Sequence, residues 1–253
     1  MARHSCDASA NHRGRRGPVH RRGGRIRPAC AIAATILAVA APVALAGLRT
    51  ITRADALSVA NAISIRHSDV PTLKQQANPT TPADDSSGAE LTACAGGVPA
   101  SKAFANTQSP AFATASDSIT ISSETEILPS VALVATDFAA FERPLALTCL
   151  QSLLSKALRG EFPKGDKVTT AVSRFPSVIS GVDKSFGLRF AIVVTLKQDG
   201  KTVSVAVYDD VVGFAYGQAE VTLNVQTTLT PPSTSLERGL GAALLRRAET
   251  ALR

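Results

Sequence analysis

The chain has few of the residues that build common catalytic and ligand-binding sites. Its 253 residues contain no tryptophan and only two tyrosines, so the stacked aromatic surfaces typical of sugar-binding sites are poorly supplied. His67 is the single histidine beyond residue 46, which excludes a metal site built on paired histidines there. The Gly-x-Ser-x-Gly, His-Glu-x-x-His and phosphate-binding glycine motifs are also missing. We therefore expect no catalytic residue, no cofactor and no metal.

Net charge is nearly absent after the first 46 residues. The whole chain has 27 Lys and Arg against 20 Asp and Glu, a formal net charge of +7. Residues 1–46 hold eight arginines and one acid, which leaves residues 47–253 with equal numbers of basic and acidic side chains. Nucleic-acid binding by counterion release needs a clustered basic surface. We therefore expect no nucleic-acid partner.

A long uncharged run is present near the N-terminus. Residues 29–48 carry no charged side chain, and a helix of that length could cross a bilayer core. Ala44 and Ala46 form a small-x-small site of the kind that signal peptidase cleaves, and Pro42 interrupts the helix just before it. We interpret residues 1–46 as a signal peptide of a secreted, extracytoplasmic protein. The alternative is an uncleaved membrane anchor through residues 29–48, which would be the protein's only contact with the membrane.

The cysteine pattern agrees with export. Cys94 and Cys149 are the two thiols that remain after residue 46, and an even pair in an oxidising compartment predicts one disulfide. Two separate buried thiols are the alternative. Cys149 lies on the inward side of a helix predicted to begin at Pro144, which is consistent with the bridge.

Composition divides the exported part into three segments. Residues 47–72 contain an N-terminal helix, capped by Thr52, and an entry segment. Residues 73–92 have two prolines and many small polar residues, so we expect a flexible loop. Residues 93–253 carry the strong periodic patterns, and we expect them to form an α+β domain that the N-terminal helix completes.

The clearest pattern in the chain predicts a β-hairpin. Apolar residues occupy even positions in residues 186–197 and odd positions in residues 201–211, and Asp199-Gly200 between them favours a type I′ turn. A two-residue turn there places Val194 opposite Val205. Turn chemistry and side-chain alternation therefore select the same register.

A third strand should extend this hairpin into a meander. Residues 218–228 are apolar at odd positions. If these side chains share a face with the apolar odd positions of residues 201–211, odd-numbered residues must lie opposite each other, which requires a three-residue loop, Ala215-Tyr216-Gly217. With an earlier strand at residues 119–127 and one at residues 167–175, the antiparallel sheet has about five strands. Helices before and after these strands, including a C-terminal one capped by Thr234 and Glu237, predict an α+β sandwich.

Several short motifs resemble those of exported actinobacterial domains of Mog1/PsbP-like fold. They are Asp69-Val70-Pro71, Cys94-Ala95-Gly96-Gly97-Val98, Cys149-Leu150, and the hairpin that leads to the terminal helix. Members of this group include mycobacterial envelope lipoproteins and the extracellular sensor domains of receptor kinases. The resemblance spans roughly residues 50 to 253. It implies a non-catalytic binding or accessory role in the cell envelope.

The candidate ligand-lining residues are Asp209, Arg189 and Tyr208. Asp209 interrupts the apolar alternation of its strand, and a buried carboxylate is costly unless it has a partner. It therefore lines a polar cavity, binds an arginine such as Arg189, or lies in a bulge that turns it outward. The neighbouring Asp210 points to the opposite face, so these two acids do not form a glycosidase pair.

We interpret the chain as an exported, non-catalytic cell-envelope domain that binds an unknown ligand or protein partner. One alternative is an extracytoplasmic hydrolase that uses His67 with a distant serine or acid. Another is a signal-anchored accessory subunit of a membrane complex.

Overall fold

The computed structural model describes residues 47–76, 85–159, 162, 167–198 and 201–253. The predicted signal peptide, with its cleavage site at Ala44 and Ala46, lies outside these residues, as do Asp199 and Gly200 of the predicted turn. Among the described residues, no helix has the length and hydropathy needed to span a membrane.

The described residues form five α-helices and eight β-strands. The helices are α1 (Arg53–Ile63), α2 (Asp85–Ala95), α3 (Val131–Glu142), α4 (Pro144–Ala157) and α5 (Thr234–Ala251). The strands are β1 (Lys74–Gln76), β2 (Ala105–Gln108), β3 (Ala111–Ala113), β4 (Ile119–Ile127), β5 (Lys167–Phe175), β6 (Lys184–Gln198), β7 (Lys201–Tyr216) and β8 (Ala219–Thr228).

The strands form an antiparallel sheet with helices on both faces. The order is β1-β3-β4-β8-β7-β6-β5, and β2 also pairs with β4. The predicted α+β class is confirmed, with β5 to β8 as a meander, while the short strands β1 to β3 raise the strand number above the expected five. Phe214 and Leu223 pack with α1 and α5 on what we call the α5 face. Phe186 and Ala215 pack with α3 on the other face, the α3 face.

The register of the β6–β7 hairpin is confirmed. Val194 lies opposite Val205, and the pairing runs without interruption to Gln198 opposite Lys201. Two residues therefore connect the strands, as the Asp199-Gly200 motif predicts.

The predicted three-residue loop between β7 and β8 is wrong. Tyr216 pairs with Ala219, so Gly217 and Gln218 form a two-residue turn, in which Gly217 adopts φ +58°. Val205 of β7 and Val221 of β8 consequently lie on opposite faces of the sheet. Helices cover both faces here, so an apolar side chain is stable on either side and alternation does not fix the register.

Part of the predicted flexible loop, residues 73–92, is regular structure. Strand β1 and most of helix α2 lie within it, and residues 77–84 fall outside the described residues. Cys94 of α2 forms the predicted disulfide with Cys149 of α4. Glu90 and Lys156 also form an ion pair of 2.8 Å between these helices. Contacts with α4 thus stabilise a helix that composition alone does not favour.

The two ends of the described domain lie side by side. The backbone N–H of Arg49 donates to the carbonyl of Leu252 at 3.0 Å. The Arg49 side chain donates through Nε to the carbonyl of Ala251 at 3.2 Å. The segment that enters α1 is thereby attached to the end of α5.

Candidate functional site

Part of the α5 face has no covering helix among the described residues. Helix α5 packs on β7 and β8, and α1 packs on β2 and β4. The side chains of β5, β6 and the first half of β7 on this face are exposed or half-buried. We call them the open strip: Thr169, Ala171, Ser173, Ala191, Val193, Thr195, Ser204 and Ala206. None of these side chains is charged and none is larger than valine, so the open strip is an uncharged surface of small side chains.

Arg189, Phe175 and Tyr208 border the open strip, and we call them the Arg189 corner. The guanidinium of Arg189 lies 5.5 Å from the ring centroid of Phe175, and its side chain keeps 30% exposure. A Cβ on Gly187 would lie 2.6 Å from the Phe175 ring, so glycine makes room for the aromatic side chain. The corner therefore combines a partly exposed cation with two aromatic rings.

Asp210 binds Arg189 directly, and Glu237 binds Asp210. The Nε and Nη2 atoms of Arg189 donate to the two carboxylate oxygens of Asp210 at 2.7 and 2.6 Å. Asp210 has no exposed surface, and Glu237 at the start of α5 is 1% exposed. The hydrogen bond from Arg189 to Asp210 raises the pKa of the guanidinium, which stays charged.

Glu237 retains a proton near neutral pH. Burial raises the pKa of Glu237 to about 8, with further contributions from its hydrogen bond to Asp210 and from the charge of Asp210, while Arg189 lowers it. A protonated Glu237 donates to Asp210, so one cation, one anion and one neutral acid make up the group. The charges of Arg189 and Asp210 therefore cancel, and Asp210 fixes the guanidinium beside the Phe175 ring.

Removing Asp210 and Glu237 together should destabilise the domain more than the two single changes predict. In Asp210→Asn, Glu237 can ionise and replace the lost anion, whereas Glu237→Gln still donates to Asp210. The double variant leaves Arg189 without an anion, for which we expect a loss of roughly 3–5 kcal/mol in the free energy of unfolding. Urea unfolding of the four proteins measures the coupling. Additive losses would show that Glu237 does not replace Asp210.

The structure brings two of the three candidate ligand-lining residues together. Arg189 and Tyr208 share the α5 face, but Asp209 lies on the α3 face opposite Phe190. Arg189 binds Asp210 instead of Asp209, and the continuous register through both acids contains no bulge. Burial, followed by the charge of Asp210, raises the pKa of Asp209 to about 6. A ligand-lining role for the three stays a prediction.

Glu237 is the main residue of this region that sequence reasoning missed. The sequence assigned it to a capping box with Thr234, but the hydroxyl of Ser233 accepts the Leu236 N–H instead. Glu237 turns inward, in line with the buried residues Leu240 and Leu244. Its helical spacing to these leucines was the signal that could have placed it in the core.

A second group of acids lies between the sheet and α3. Glu126 and Glu220 are directly opposite each other on β4 and β8, and Asp137 of α3 accepts the Val98 N–H at 2.6 Å. Oxygen Oε1 of each glutamate is buried without a hydrogen-bond partner among the described residues. We call Glu126, Asp137 and Glu220 the α3 acid group.

Burial and mutual repulsion keep the α3 acid group partly protonated. The pKa of Glu220 is raised to about 9 by burial, then by the charges of Asp137 and Glu126 and by a hydrogen bond with Asp137. The pKa of Glu126 is raised to about 7 by burial and then by the charges of Asp137 and Glu124. Burial also raises the pKa of Asp137, although its bonds with Val98 and Glu220 oppose the shift. No group of described residues is arranged to hold a metal ion.

The geometry does not assemble a hydrolase site around His67. His67 is exposed, and its ring lies 6.2 Å from that of Phe112. An open groove of about 370 Å³ runs along α5 past Asp69, Ser235 and Arg246, without His67 in its lining. The Asp69 carboxylate accepts hydrogen bonds from the Arg66 N–H and from Arg247. Among the described residues, neither an acid nor a hydroxyl bonds to the His67 ring.

Comparison with known proteins gives a distant structural likeness. No protein-family model matches the chain, and no curated protein matches it significantly. The extracellular domain of PknH from Mycobacterium tuberculosis is similar in structure, with a TM-score of 0.38 and 10% sequence identity over 81% of this chain and 100% of that chain. A likeness of this size carries no inference about function. The Mog1/PsbP-like fold expected from the sequence stays a prediction.

Proposed function

We propose that residues 47–253 form an extracytoplasmic, non-catalytic domain that binds a ligand or protein partner through the open strip and the Arg189 corner. The observation that carries this proposal is the uncovered, uncharged part of the α5 face. On this face α5 packs on β7 and β8 and α1 packs on β2 and β4, whereas no described helix packs on the alanine, valine, serine and threonine side chains of the open strip.

Export is supported by the covalent and sequence features of the chain. The Cys94–Cys149 disulfide is typical of an oxidising compartment. The uncharged run of residues 29–48 precedes the domain. The arginines before this run favour an orientation in which the N-terminal side stays in the cytoplasm. These features support secretion, or attachment to the membrane through the uncleaved run.

The chemistry of the surface favours an extended partner over a small enclosed one. The side chains of the open strip are small and are exposed or half-buried, whereas pockets for small molecules are concave and enclose most of their ligand. Arg189 is fixed by Asp210 and flanked by Phe175 and Tyr208. Arginine and tyrosine are residues that dominate protein–protein binding sites.

Site-specific photo-cross-linking tests this proposal. A photoreactive amino acid at Ser173, on the open strip, should give a specific adduct with an envelope component in cells that export the chain. The same amino acid at Ser152, on the exposed side of α4, is the matched control. Equal products at both positions, or none at Ser173, would contradict the proposal. The N-terminal sequence of the recovered protein should begin at Gly47 if the leader is cleaved.

A further inference from the structure

We propose that helix α3 is a pH-operated strap across the sheet, held closed while the α3 acid group shares a proton and loosened when that group ionises. The inference goes beyond the proposed function, since it concerns the α3 face and not the open strip. Asp137 is the member of the group that belongs to α3, whereas Glu126 and Glu220 belong to the sheet. A change of charge within the group therefore acts directly between the helix and the sheet.

The backbone is fixed just before and just after α3. Gln218, in the β7–β8 turn, donates to the carbonyl of Leu128 at 2.9 Å. Arg174 of β5 donates to the carbonyl of Arg143 at 2.9 Å, where α3 is followed by α4. The residues between these two anchors can leave the sheet by local opening without breaking a strand pair.

The apolar contact between α3 and the sheet is small. Val134 and Phe138 form a buried cluster with Leu128 and Ala215, separate from the main core that α1 and α5 cover. The ring centroid of Phe138 lies 5.5 Å from that of Phe186 on β6. Because few apolar side chains attach the helix, its polar contacts decide whether it stays on the sheet.

The polar contacts of α3 with the sheet centre on Asp137. Its Oδ1 atom accepts the Val98 N–H at 2.6 Å, and its carboxylate is hydrogen-bonded to Glu220 of β8. An ionised carboxylate can only accept hydrogen bonds, so a bond between two carboxyl groups requires a proton on one of them. The contact between Asp137 and Glu220 therefore exists only while the pair carries a proton.

The charges that act on the α3 acid group are all negative. Glu126 experiences Asp137 and Glu124, and Glu220 experiences Asp137 and Glu126. The Lys184 ammonium on β6 binds Glu142 at the end of α3 instead, at 3.0 Å. The Arg143 guanidinium lies beside Gly96. Ionisation of the group therefore produces repulsion between α3 and the sheet that no cation among the described residues offsets.

The direction of the pH effect follows from burial. Oxygen Oε1 of Glu126 and of Glu220 is buried without a hydrogen-bond partner among the described residues, so an ionised carboxylate there gains no donor. Burial raises the pKa of Glu126 to about 7 and that of Glu220 to about 9. Opening returns both groups to water, where glutamate has a pKa of about 4.3. The closed strap thus binds more protons than the open one, and opening becomes easier as pH rises from about 6 to about 9.

Hydrogen exchange of the exported chain at about pH 6 and about pH 8.5 tests the strap. Each rate is divided by that of an unstructured peptide at the same pH, which removes the pH dependence of exchange itself. Protection of residues 131–142 should fall at least about tenfold, because opening that releases one proton becomes tenfold more favourable per pH unit. Strands β7 and β8 should stay more protected than α3. Unchanged protection in α3, or loss in α3, β7 and β8 to the same level, would overturn the inference.

Two neutral variants test whether the acid group controls the opening. Glu220→Gln still donates to Asp137 and cannot ionise, so α3 should stay protected at about pH 8.5. Asp137→Asn still accepts from Val98 and can donate to an ionised Glu220, so it should also stay protected. Glu249→Gln, near the end of α5, is the matched control and should open like the wild type. Wild-type opening in either acid-group variant that is folded at about pH 6, or a closed strap in the control, would contradict the proposal.

Discussion

Raising the pH from about 6 to about 9 is expected to lower the melting temperature of the domain by up to roughly 15–30 °C. The carboxyl pKa values of Glu126, Glu237 and Glu220 are raised to about 7, 8 and 9. In the unfolded chain such groups titrate near 4.3, so the folded state binds more protons at every pH in between. Their contribution to stability is complete below the unfolded pKa and is lost as pH rises through the folded values.

The size of this effect follows from the shifts. Each unit of pKa shift corresponds to about 1.4 kcal/mol, and 1 kcal/mol moves the melting temperature by about 2–4 °C in a domain of this size. Between pH 6 and pH 9, Glu126, Glu237 and Glu220 together should therefore cost at most about 8 kcal/mol, which corresponds to roughly 15–30 °C in melting temperature. Calorimetry at a series of pH values measures the loss.

Glu220→Gln isolates the largest of these contributions. The amide can still donate to Asp137 but cannot ionise, so this variant should match the wild type near pH 5 and exceed it near pH 9. Glu249→Gln is the control, because Glu249 lies near the end of α5, on the other side of the sheet from the α3 acid group. If both variants follow the wild-type profile, Glu220 does not ionise in this pH range.

Loss of the Cys94–Cys149 disulfide should lower the free energy of unfolding by about 4 kcal/mol. The two cysteines are 55 residues apart, and chain-entropy theory gives this figure for a loop of that length. The free energy of unfolding of a typical domain is only about 5–15 kcal/mol, so the variant would lose a large part of its stability. Urea unfolding of the Cys94→Ala, Cys149→Ala double variant, beside wild-type protein with and without reductant, measures the loss.

The same change should loosen α2 before the rest of the domain. Without the bridge, α2 is attached to α4 by the exposed ion pair of Glu90 with Lys156 and by small contacts of Leu91 and Ala95. Hydrogen exchange should therefore increase in residues 88–95, while β6 to β8 stay protected. Equal acceleration in both regions, or a stability loss below about 1 kcal/mol, would show that the bridge does not hold α2 in place.

Local signals explain which parts of the fold the sequence predicts. The β6–β7 register follows from turn chemistry and alternation that agree, and strand β5 and the start of α4 at Pro144 follow from similarly local patterns. The β7–β8 turn does not, because helices on both faces remove the constraint on parity. Helix α2 depends on a disulfide partner 55 residues away, which no local pattern reveals.

The candidate site is harder to predict because its members come from distant segments. Arg189 and Asp210 become neighbours through the hairpin register, so their pairing was within reach of sequence reasoning. Glu237 joins them only when α5 packs on the sheet. The Glu126–Glu220 contact requires β4 to pair with β8, across almost one hundred residues of sequence. Such non-local pairings leave no periodic trace in either segment.

The hydrogen bond between Arg49 and Leu252 makes the described chain nearly a closed ring. A short linker could join the two ends without disturbing a strand pair, so the domain is a good candidate for circular permutation. A mechanical load applied through both ends would first act on the hydrogen bonds of Arg49 with Ala251 and Leu252, and only later on the strand pairs of the sheet. Cargo fused to either end of the described domain would therefore lie close to the other end.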